Sequence, residues 1–401
     1  MAGILDYLDW RGDLSFRTAP YNEVDELILC RLAYIPFEDV LTEEFSVRAM
    51  TLQEAVRRVR PLTGEHGDGR RLLMPGDAPM LEKLEHCRRF AAIRLTGYVN
   101  HLEPQKEKQF SATTMLLPDG SVLVAYRGTD GTMTGWKEDF NMSFADTVPA
   151  QLEAVEYLRR AGEHFWWARL RVCGHSKGGN LAVYAAAFCP PALQKRIVSV
   201  RNNDGPGFSD RVLKSPQYRS IVSRIHTYLP QSSIFGMLLE HAEAYSVVYS
   251  TNTGLAQHDL FSWSVTREHL VYVERLTEQS QFVDAALKDW MAAMTPAQRE
   301  QVVDAVFDIL HQADVTSMKE LTSGKKNMVI LKAVLRQHDP TRHLIFDALR
   351  ILRHSVQNTL PRMRERSAAD GTPPEAREGL PAAHAARPEA VRPAPAPKAE
   401  K

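Results

Sequence analysis

The stretch that decides the fold is RVCGHSKGGN, residues 171–180, which places the pattern Gly-x-Ser-x-Gly around Ser176. The apolar residues just before this pattern, within 168–173, predict a short strand. The alanine-rich segment LAVYAAAF at 181–188 predicts a helix packed against a sheet. A strand, a tight glycine-bounded turn and a helix are the setting of a nucleophile elbow, which points a serine hydroxyl outward. The alternative is an ordinary strand-to-helix turn.

The composition limits the classes of protein to which the chain can belong. The chain has 401 residues, 44% of them hydrophobic, and equal numbers of basic and acidic residues (49 each). Zero formal charge, with no basic stripe interleaved with aromatic residues, argues against a nucleic-acid partner. The four cysteines are widely spaced, which is typical of reduced thiols and not of a metal site or a disulfide framework. With no dinucleotide fingerprint either, we expect no cofactor and no metal.

The N-terminal residues 1–10 carry acids where a signal peptide would carry basic residues. No run approaches the roughly 18 apolar residues that a membrane-spanning helix requires. We therefore expect a soluble, cytoplasmic protein without a transmembrane segment.

Alternating strands and helices fill the first two thirds of the chain. Amphipathic helices are predicted at 22–34 and 51–59, and a hairpin with an Asp-Gly turn at 110–128. A helix is predicted at 151–161, and further strands at 197–204, 221–228 and 244–250. This order predicts an α/β fold with a mostly parallel sheet.

The character of the chain changes after about residue 266. Helical periodicity at 269–294, 295–312, 315–321 and 326–359 predicts a helical C-terminal module, which could bind a protein partner. The residues from about 366 are rich in Ala, Pro, Glu and Arg and predict a disordered tail. We therefore expect a hydrolase-type domain at 1–265 that includes the N-terminal helices, a helical module at 266–365 and a tail at 366–401.

A serine nucleophile requires a base, a group that orients the base, and donors for the oxyanion. His258 follows the last predicted strand in a loop that can reach the elbow, so it is the candidate base; a surface loop histidine is the alternative. His226 lies inside a predicted strand and His241 just before one, so both are interpreted as structural. His175 is expected to pack beside the elbow.

Two backbone amides are the candidate oxyanion donors. The amide of Lys177 follows the nucleophile directly, and Thr129 follows the strand that ends at Tyr126-Arg127-Gly128. The Thr129 hydroxyl could also point at the developing charge. A plain turn at 128–131 is the alternative, and Asp139 is expected to pair with Arg127.

Several segments together resemble known families. VAYRGT at 124–129, the Gly-His-Ser-x-Gly-Gly elbow and Gly-Pro-Gly at 205–207 resemble the class 3 lipases. WRGDLSF at 10–16, NNDGPGF at 202–208 and QHDLFSW at 257–263 are similar to a bacterial branch of that group, the Mbeg-like proteins. The resemblance, over roughly residues 3–360, implies an α/β-hydrolase fold with helices on both faces of the sheet. It also implies a Ser-His-Asp mechanism on acyl esters and assigns the role of base to His258.

The sequence differs from the class 3 lipases in the position of the triad acid. The class 3 lipases place it shortly before Pro-x-Leu, where this chain reads HTYLPQSS at 226–233 without a carboxylate. Asp204, at the end of the strand after the elbow helix, is the best substitute. A turn residue before Gly-Pro-Gly is the alternative interpretation of Asp204, and Asp259 is expected to point away from His258.

The leading hypothesis is a serine hydrolase that cleaves an acyl ester of a small-molecule or lipid-like substrate. A lipase-like fold that no longer catalyses and serves as a binding scaffold is the competing hypothesis, and a thioesterase or peptidase using the same triad is a third. The Lys177 ammonium could lie at the pocket mouth and favour an anionic acyl substrate; a solvated lysine at the helix start is the alternative.

Overall fold

A central sheet organises the computed structural model, which describes residues 1–63, 72–313, 315, 326–335 and 338–369. The strands of these residues are β1 (Met50–Thr51), β2 (Arg94–Glu103), β3 (Lys108–Leu116), β4 (Val122–Tyr126), β5 (Leu170–His175), β6 (Ile197–Asn203), β7 (Ile225–Pro230), β8 (Tyr245–Val248), β9 (Val265–Thr266), β10 (His269–Leu270) and β11 (Tyr272–Val273). The helices are α1 (Ile4–Arg11), α2 (Glu23–Leu32), α3 (Leu52–Val59), α4 (Asp77–His86), α5 (Met133–Asn141), α6 (Pro149–His164), α7 (Lys177–Phe188), α8 (Pro191–Gln194), α9 (Asp210–Leu213), α10 (Pro216–Ile221), α11 (Glu278–Ala292), α12 (Pro296–Gln312), α13 (Asn327–Leu335) and α14 (Asp339–Ala369).

The main sheet has the strand order β1-β2-β3-β4-β5-β6-β7-β8-β11. Strands β4 to β8 run parallel, because helices such as α6 and α7 cross over between them. The strands at both edges are antiparallel, including the predicted hairpin of β3 and β4. The carboxyl ends of β4, β5 and β6 therefore meet at one edge of the sheet, where a site in this kind of fold is expected.

The side chains of β4 alternate between the two faces of the sheet, and each face packs into a different hydrophobic core. Leu123 and Ala125 belong to a core shared with the N-terminal helices α1 to α4. Val122 and Val124 belong to a second core, shared with α6, α7 and α10. Helices thus cover both faces of the sheet, and the predicted α/β-hydrolase-type fold is confirmed.

One predicted strand begins later in the structure, and one strand of the sheet was not predicted. The strand predicted at 221–228 begins at Ile225, since residues 216–221 form α10 behind a Ser215 cap. β2 lies where no element was predicted.

The C-terminal helices begin later than predicted. Residues 265–273 form β9, β10 and β11, and Tyr272–Val273 pairs with β8 at the edge of the main sheet. Short β-branched and aromatic segments fit such an edge position better than a helix. Helical structure starts at Glu278, behind a Thr277 cap. The last strand of the sheet thus follows the predicted boundary at residue 265, and the division into three parts stays a prediction.

The other predictions for the C-terminal part can be compared with the structure only where its residues are described. The helix predicted at 326–359 is divided into α13 and α14. The predicted helix at 315–321 lies outside the described residues except for residue 315. The tail predicted from 366 begins within α14, which continues to Ala369, and residues 370–401 lie outside the described part.

A buried ion pair fixes the N-terminal helices to the body of the protein. Asp25 lies in the first turn of α2, and its carboxylate accepts two hydrogen bonds of 2.6 Å from Arg89. Both side chains are fully buried. The same guanidinium donates to the backbone carbonyls of Leu14, Ala19 and Pro20, so it holds the loop between α1 and α2 as well.

We predict that Asp25→Ala lowers the free energy of unfolding by about 3–5 kcal/mol, because it leaves the Arg89 charge buried without its partner. The matched control is Asp9→Ala, which removes the partly exposed pair with Lys83 and should cost at most about 1 kcal/mol. Urea denaturation curves of both variants measure the difference. Equal midpoint shifts would contradict the role given to the buried pair.

Candidate active site

The backbone around Ser176 has the geometry of a nucleophile elbow. Ser176 lies between β5 and α7 with φ 59° and ψ −135°, a conformation that costs energy for any residue but glycine. A Cβ on Gly174 would lie 1.9 Å from the carbonyl oxygen of Gly178, and one on Gly178 would lie 2.2 Å from that of Tyr126. Only glycine at these two positions allows β4, β5 and α7 to approach this closely.

The structure brings His258 and Asp204 together. Nδ1 of His258 donates to Oδ2 of Asp204 at 2.6 Å, and the carboxylate is almost fully buried. Its other oxygen, Oδ1, accepts from the hydroxyl of Ser233 and from the amide of Gly236. Asp204 itself has φ 52°, which turns the chain at the carboxyl end of β6. The carboxylate can therefore hold the imidazole in the tautomer whose Nε2 is unprotonated.

Two rings enclose the imidazole of His258. The centroids of the Phe235 ring and of the His175 ring each lie 4.3 Å from the centroid of the His258 ring. Among the hydrogen bonds of the described residues, none joins the Ser176 hydroxyl to His258. Such contacts often form only when substrate is bound.

His175 supports the candidate base through its backbone. Its Nε2 donates to the carbonyl of His258 at 2.8 Å, and its Nδ1 accepts from the Tyr34 hydroxyl at 2.8 Å. Burial, with the nearby His258 and Arg31, holds the pKa of His175 well below its usual range, so it stays neutral. His175 thus packs beside the elbow as expected, in a positioning role.

Tyr34 was not singled out from the sequence, although it follows the amphipathic helix α2 directly. Its hydroxyl accepts from the amide of Gly128, so it ties the loop after β4 to His175. Arg31 lies over the Tyr34 ring at 4.4 Å and donates two hydrogen bonds to the buried Asp77. Through Tyr34 and Arg31, the N-terminal helices therefore help to hold the site in place.

The two candidate oxyanion donors belong to the residue after Ser176 and to the residue after Gly128, which lies close to Ser176. Lys177 begins α7, and the first amides of a helix have no intrahelical acceptor. Thr129 follows Gly128, where an added Cβ would lie 2.8 Å from the Cβ of Ser176. Within the described residues, no hydrogen bond takes either amide proton. The Thr129 hydroxyl donates to Oδ2 of Asp139 instead of pointing at a substrate.

The side chain of Lys177 contradicts both interpretations of it. It is buried, and its ammonium donates to Oε2 of Glu138 and to the carbonyl of Gln109, both at 2.9 Å. Glu138 also accepts from the backbone amides of Gln109 and Ala150, which fixes the carboxylate in place. With its charge neutralised in the interior, Lys177 is neither a solvated residue nor a cation at the pocket mouth.

The expected pair of Arg127 with Asp139 is also wrong. Arg127 donates to Asp130 at 3.2 Å and to Asn100 at 3.0 Å. Asp139 lies beside Thr129 instead, with Lys177 3.8 Å from its other oxygen. The carboxylate of Asp139 faces the candidate site.

An apolar cavity of about 150 Å³ opens beside Ser176. Several parts of the chain line it: α5 and the loop after it, Ser176 and Lys177, the loops at 206 and 235–239, and the C-terminal helices α11 and α12. Its lining side chains include Trp136, Phe140, Phe235, Leu238, Leu287, Trp290, Met291, Met294, Val302 and Val303. The structure thus places an apolar cavity next to Ser176 and Lys177.

The other candidate residues lie apart from the serine. His241 donates to the Glu243 carboxylate through Nδ1 and to the carbonyl of Gly236 through Nε2, so it supports the loop that holds Asp204. His226 is exposed on β7. Asp259 accepts from the amide of Phe261 and makes no contact with the imidazole of His258 among the described hydrogen bonds. No cluster of three or more His, Cys, Asp or Glu side chains in the described residues could hold a metal ion.

The model of the Mbeg1-like family matches residues 84–308, more than half of the chain. The chain belongs to the Mbeg1-like family. This confirms the resemblance found in the sequence, and the matched range of the Mbeg1-like chain includes Thr129, Ser176, Asp204 and His258.

Comparison of the Mbeg1-like protein with solved structures finds lipases. It is similar to the Rhizomucor miehei lipase propeptide complex, with 16% identity and a TM-score of 0.31 over 41% of this chain and 59% of that one. Lipase II from Rhizopus niveus is 14% identical, with a TM-score of 0.33 over 42% and 70%. M37 lipase is 13% identical, with a TM-score of 0.30 over 53% and 68%. The chain spans less than two thirds of the first of these, and no curated protein matches it.

Within the described residues of this Mbeg1-like protein, no helix combines the length and the apolar character needed to cross a bilayer.

Asp139 gives a prediction on pH. Burial raises its pKa from 3.8 to about 6, although Lys177 and the Thr129 hydroxyl both lower it. The folded protein therefore binds this proton more tightly than the unfolded chain, so the carboxyl destabilises the fold as the pH rises through this window.

We predict that between pH 4 and pH 7 the free energy of unfolding of the wild type falls by roughly 2 kcal/mol relative to that of Asp139→Asn. Urea denaturation of both proteins across this range measures the difference. Parallel pH profiles would show that Asp139 titrates as it does in the unfolded chain.

Proposed function

We propose that this Mbeg1-like protein is a serine hydrolase that cleaves acyl esters through a covalent acyl-enzyme. The observation that carries the proposal is the hydrogen bond between the buried Asp204 and the half-buried His258, near a strained Ser176 that lines an apolar cavity. A fold alone hosts many functions, so the argument rests on this arrangement of side chains.

In the acylation step, the Ser176 oxygen attacks the ester carbonyl carbon and Nε2 of His258 takes the hydroxyl proton. Asp204 accepts from Nδ1 and stabilises the imidazolium that forms. When the tetrahedral intermediate collapses, the bond between the carbonyl carbon and the alcohol oxygen breaks, and His258 gives its proton to the leaving alcohol. Water then repeats the sequence on the acyl-enzyme and releases the acid.

Charge on the carbonyl oxygen requires donors that are fixed before the reaction. We assign this role to the amide of Lys177, which follows Ser176, and to that of Thr129, which follows Gly128. Asp139 accepts a hydrogen bond from the Thr129 hydroxyl, and Glu138 accepts one from the Lys177 ammonium. Both candidate donors therefore belong to residues whose side chains are held in place. The buried Lys177 also means that the site offers no free cation from this residue to an anionic substrate.

The scaffold hypothesis rests on the missing carboxylate in the expected segment, on the helical C-terminal module and on the tail predicted to be disordered. Asp204 lies in hydrogen-bond contact with His258 from another strand end, and Ser233 in that segment contacts Asp204. This arrangement favours a hydrolase over a scaffold. A thioesterase or peptidase would use the same groups, and a substrate panel separates these from an esterase.

A fluorophosphonate probe tests the nucleophile. We expect the folded wild-type protein to be labelled and Ser176→Ala to lose the label. Ser143→Ala is the matched control, because Ser143 lines the same cavity and its removal should leave labelling intact. Labelling is read by gel fluorescence, with folding checked by circular dichroism. A folded wild type that resists the probe would favour the scaffold hypothesis.

Exchange of the acid tests the triad. Asp204→Asn should lower kcat for a short-chain ester by about three to four orders of magnitude. The amide oxygen would stay with the Ser233 and Gly236 donors, so the amide NH2 would donate to Nδ1 of His258 and stabilise the wrong tautomer. Asp259→Asn, next to His258, should change kcat less than about threefold, since an asparagine can still accept from the Phe261 amide. Comparable losses in the two variants would refute the assignment of Asp204.

A further inference from the structure

The C-terminal helices form one wall of the cavity beside Ser176. On α11 and the turn after it, and on α12, a set of mostly apolar side chains faces this space: Leu287, Trp290, Met291, Met294, Val302 and Val303. The opposite wall comes from α5 and the loop that carries Phe235. Residues far apart in the sequence, from α5 to α12, thus line one binding space.

The position of this wall is tied to the catalytic groups. The Thr277 amide, at the start of α11, donates to the carbonyl of Gln231 at 2.7 Å, and the Ser280 hydroxyl donates to that of Ser233. Ser233 in turn contacts the carboxylate of Asp204. The first turn of α11 therefore rests on the loop that holds the triad acid.

The second helix of the wall is fixed to the other side of the cavity. Asp304 of α12 accepts from Lys137 of α5 at 2.9 Å, and the ring of Phe307 lies 5.9 Å from that of Phe140. Arg299 donates to the carbonyl of Ser143, in the loop after α5. The two helices thus span the cavity from the acid loop to α5.

The size and chemistry of the space limit what it can hold. A mostly apolar cavity of about 150 Å³ has the size that holds one benzene-sized group, or about six carbon atoms. The ammonium of Lys177 is neutralised by Glu138. Asp139 and Arg299, which also line the cavity, carry charges of opposite sign. An uncharged hydrocarbon chain fits this lining better than an anionic acyl group does.

We infer that α11 and α12 form the acyl-chain pocket of the enzyme and set its preference for uncharged aliphatic acyl groups of about four to eight carbons. This inference rests on the proposed ester hydrolysis at Ser176. It assigns the C-terminal helices a role in substrate selection, because their side chains contact the acyl chain while the sheet supplies the chemistry.

A chain-length series of p-nitrophenyl esters, from acetate to dodecanoate, tests the inference. In the wild type, kcat/KM should rise about fourfold for each added methylene up to about the hexanoate, and then fall. Val303→Phe fills the cavity and should lower kcat/KM for the hexanoate at least tenfold while changing that for the acetate less than about threefold.

Two further variants complete the test. Val306→Phe is the matched control one turn along α12, since Val306 is 37% exposed and Val303 only 8%; it should keep the wild-type profile. Met291→Ala enlarges the space and should move the optimum to longer chains. An unchanged profile in both Val303→Phe and Met291→Ala would overturn the inference while leaving ester hydrolysis intact. A wild type that cleaves none of the esters and resists the fluorophosphonate would instead refute the proposed function, and the pocket assignment with it.

Discussion

The conformation of Ser176 is the constraint on which the rest of the site depends. With φ at 59°, the residue is held in a region that β-strand and helix both avoid, and only tight packing around it can maintain this strain. Gly174 and Gly178 supply that packing, because any side chain there would overlap neighbouring backbone. The turn starts α7 at once, so the serine lies at the carboxyl edge of the sheet. The strands on either side, β4 and β6, deliver Thr129 and Asp204 to the same edge.

Much of this could be predicted from the sequence because it depends on local patterns. The elbow follows from glycine spacing and from the apolar segments on both sides. Asp204 could be found because parallel strands end at one edge, so the residue after β6 lies near the residue after β5. His258 could be found from its place in a loop after β8. The hydrogen bond between Asp204 and His258 joins two residues that are 54 positions apart.

What could not be predicted depends on long-range contacts of single side chains. The direction of Lys177 is decided by Glu138 on a distant helix, and nothing near Lys177 in the sequence signals that partner. Tyr34 reaches His175 across 141 positions. The strands at 265–273 are only two residues long, too short for periodicity to distinguish from a helix. The lining of the cavity by α11 and α12 required the packing of whole helices to be known.

The most direct test of a serine mechanism is to trap the acyl-enzyme. Protein mixed with p-nitrophenyl hexanoate is quenched in acid within the first turnover and digested with trypsin. Cleavage after Arg171 and Lys177 releases peptide 172–177. The account predicts a hexanoyl group on Ser176 in this peptide, located by fragmentation and lost again as the substrate is consumed. Ester turnover without an adduct on this peptide, or a hexanoyl group on Cys173 alone, would contradict it.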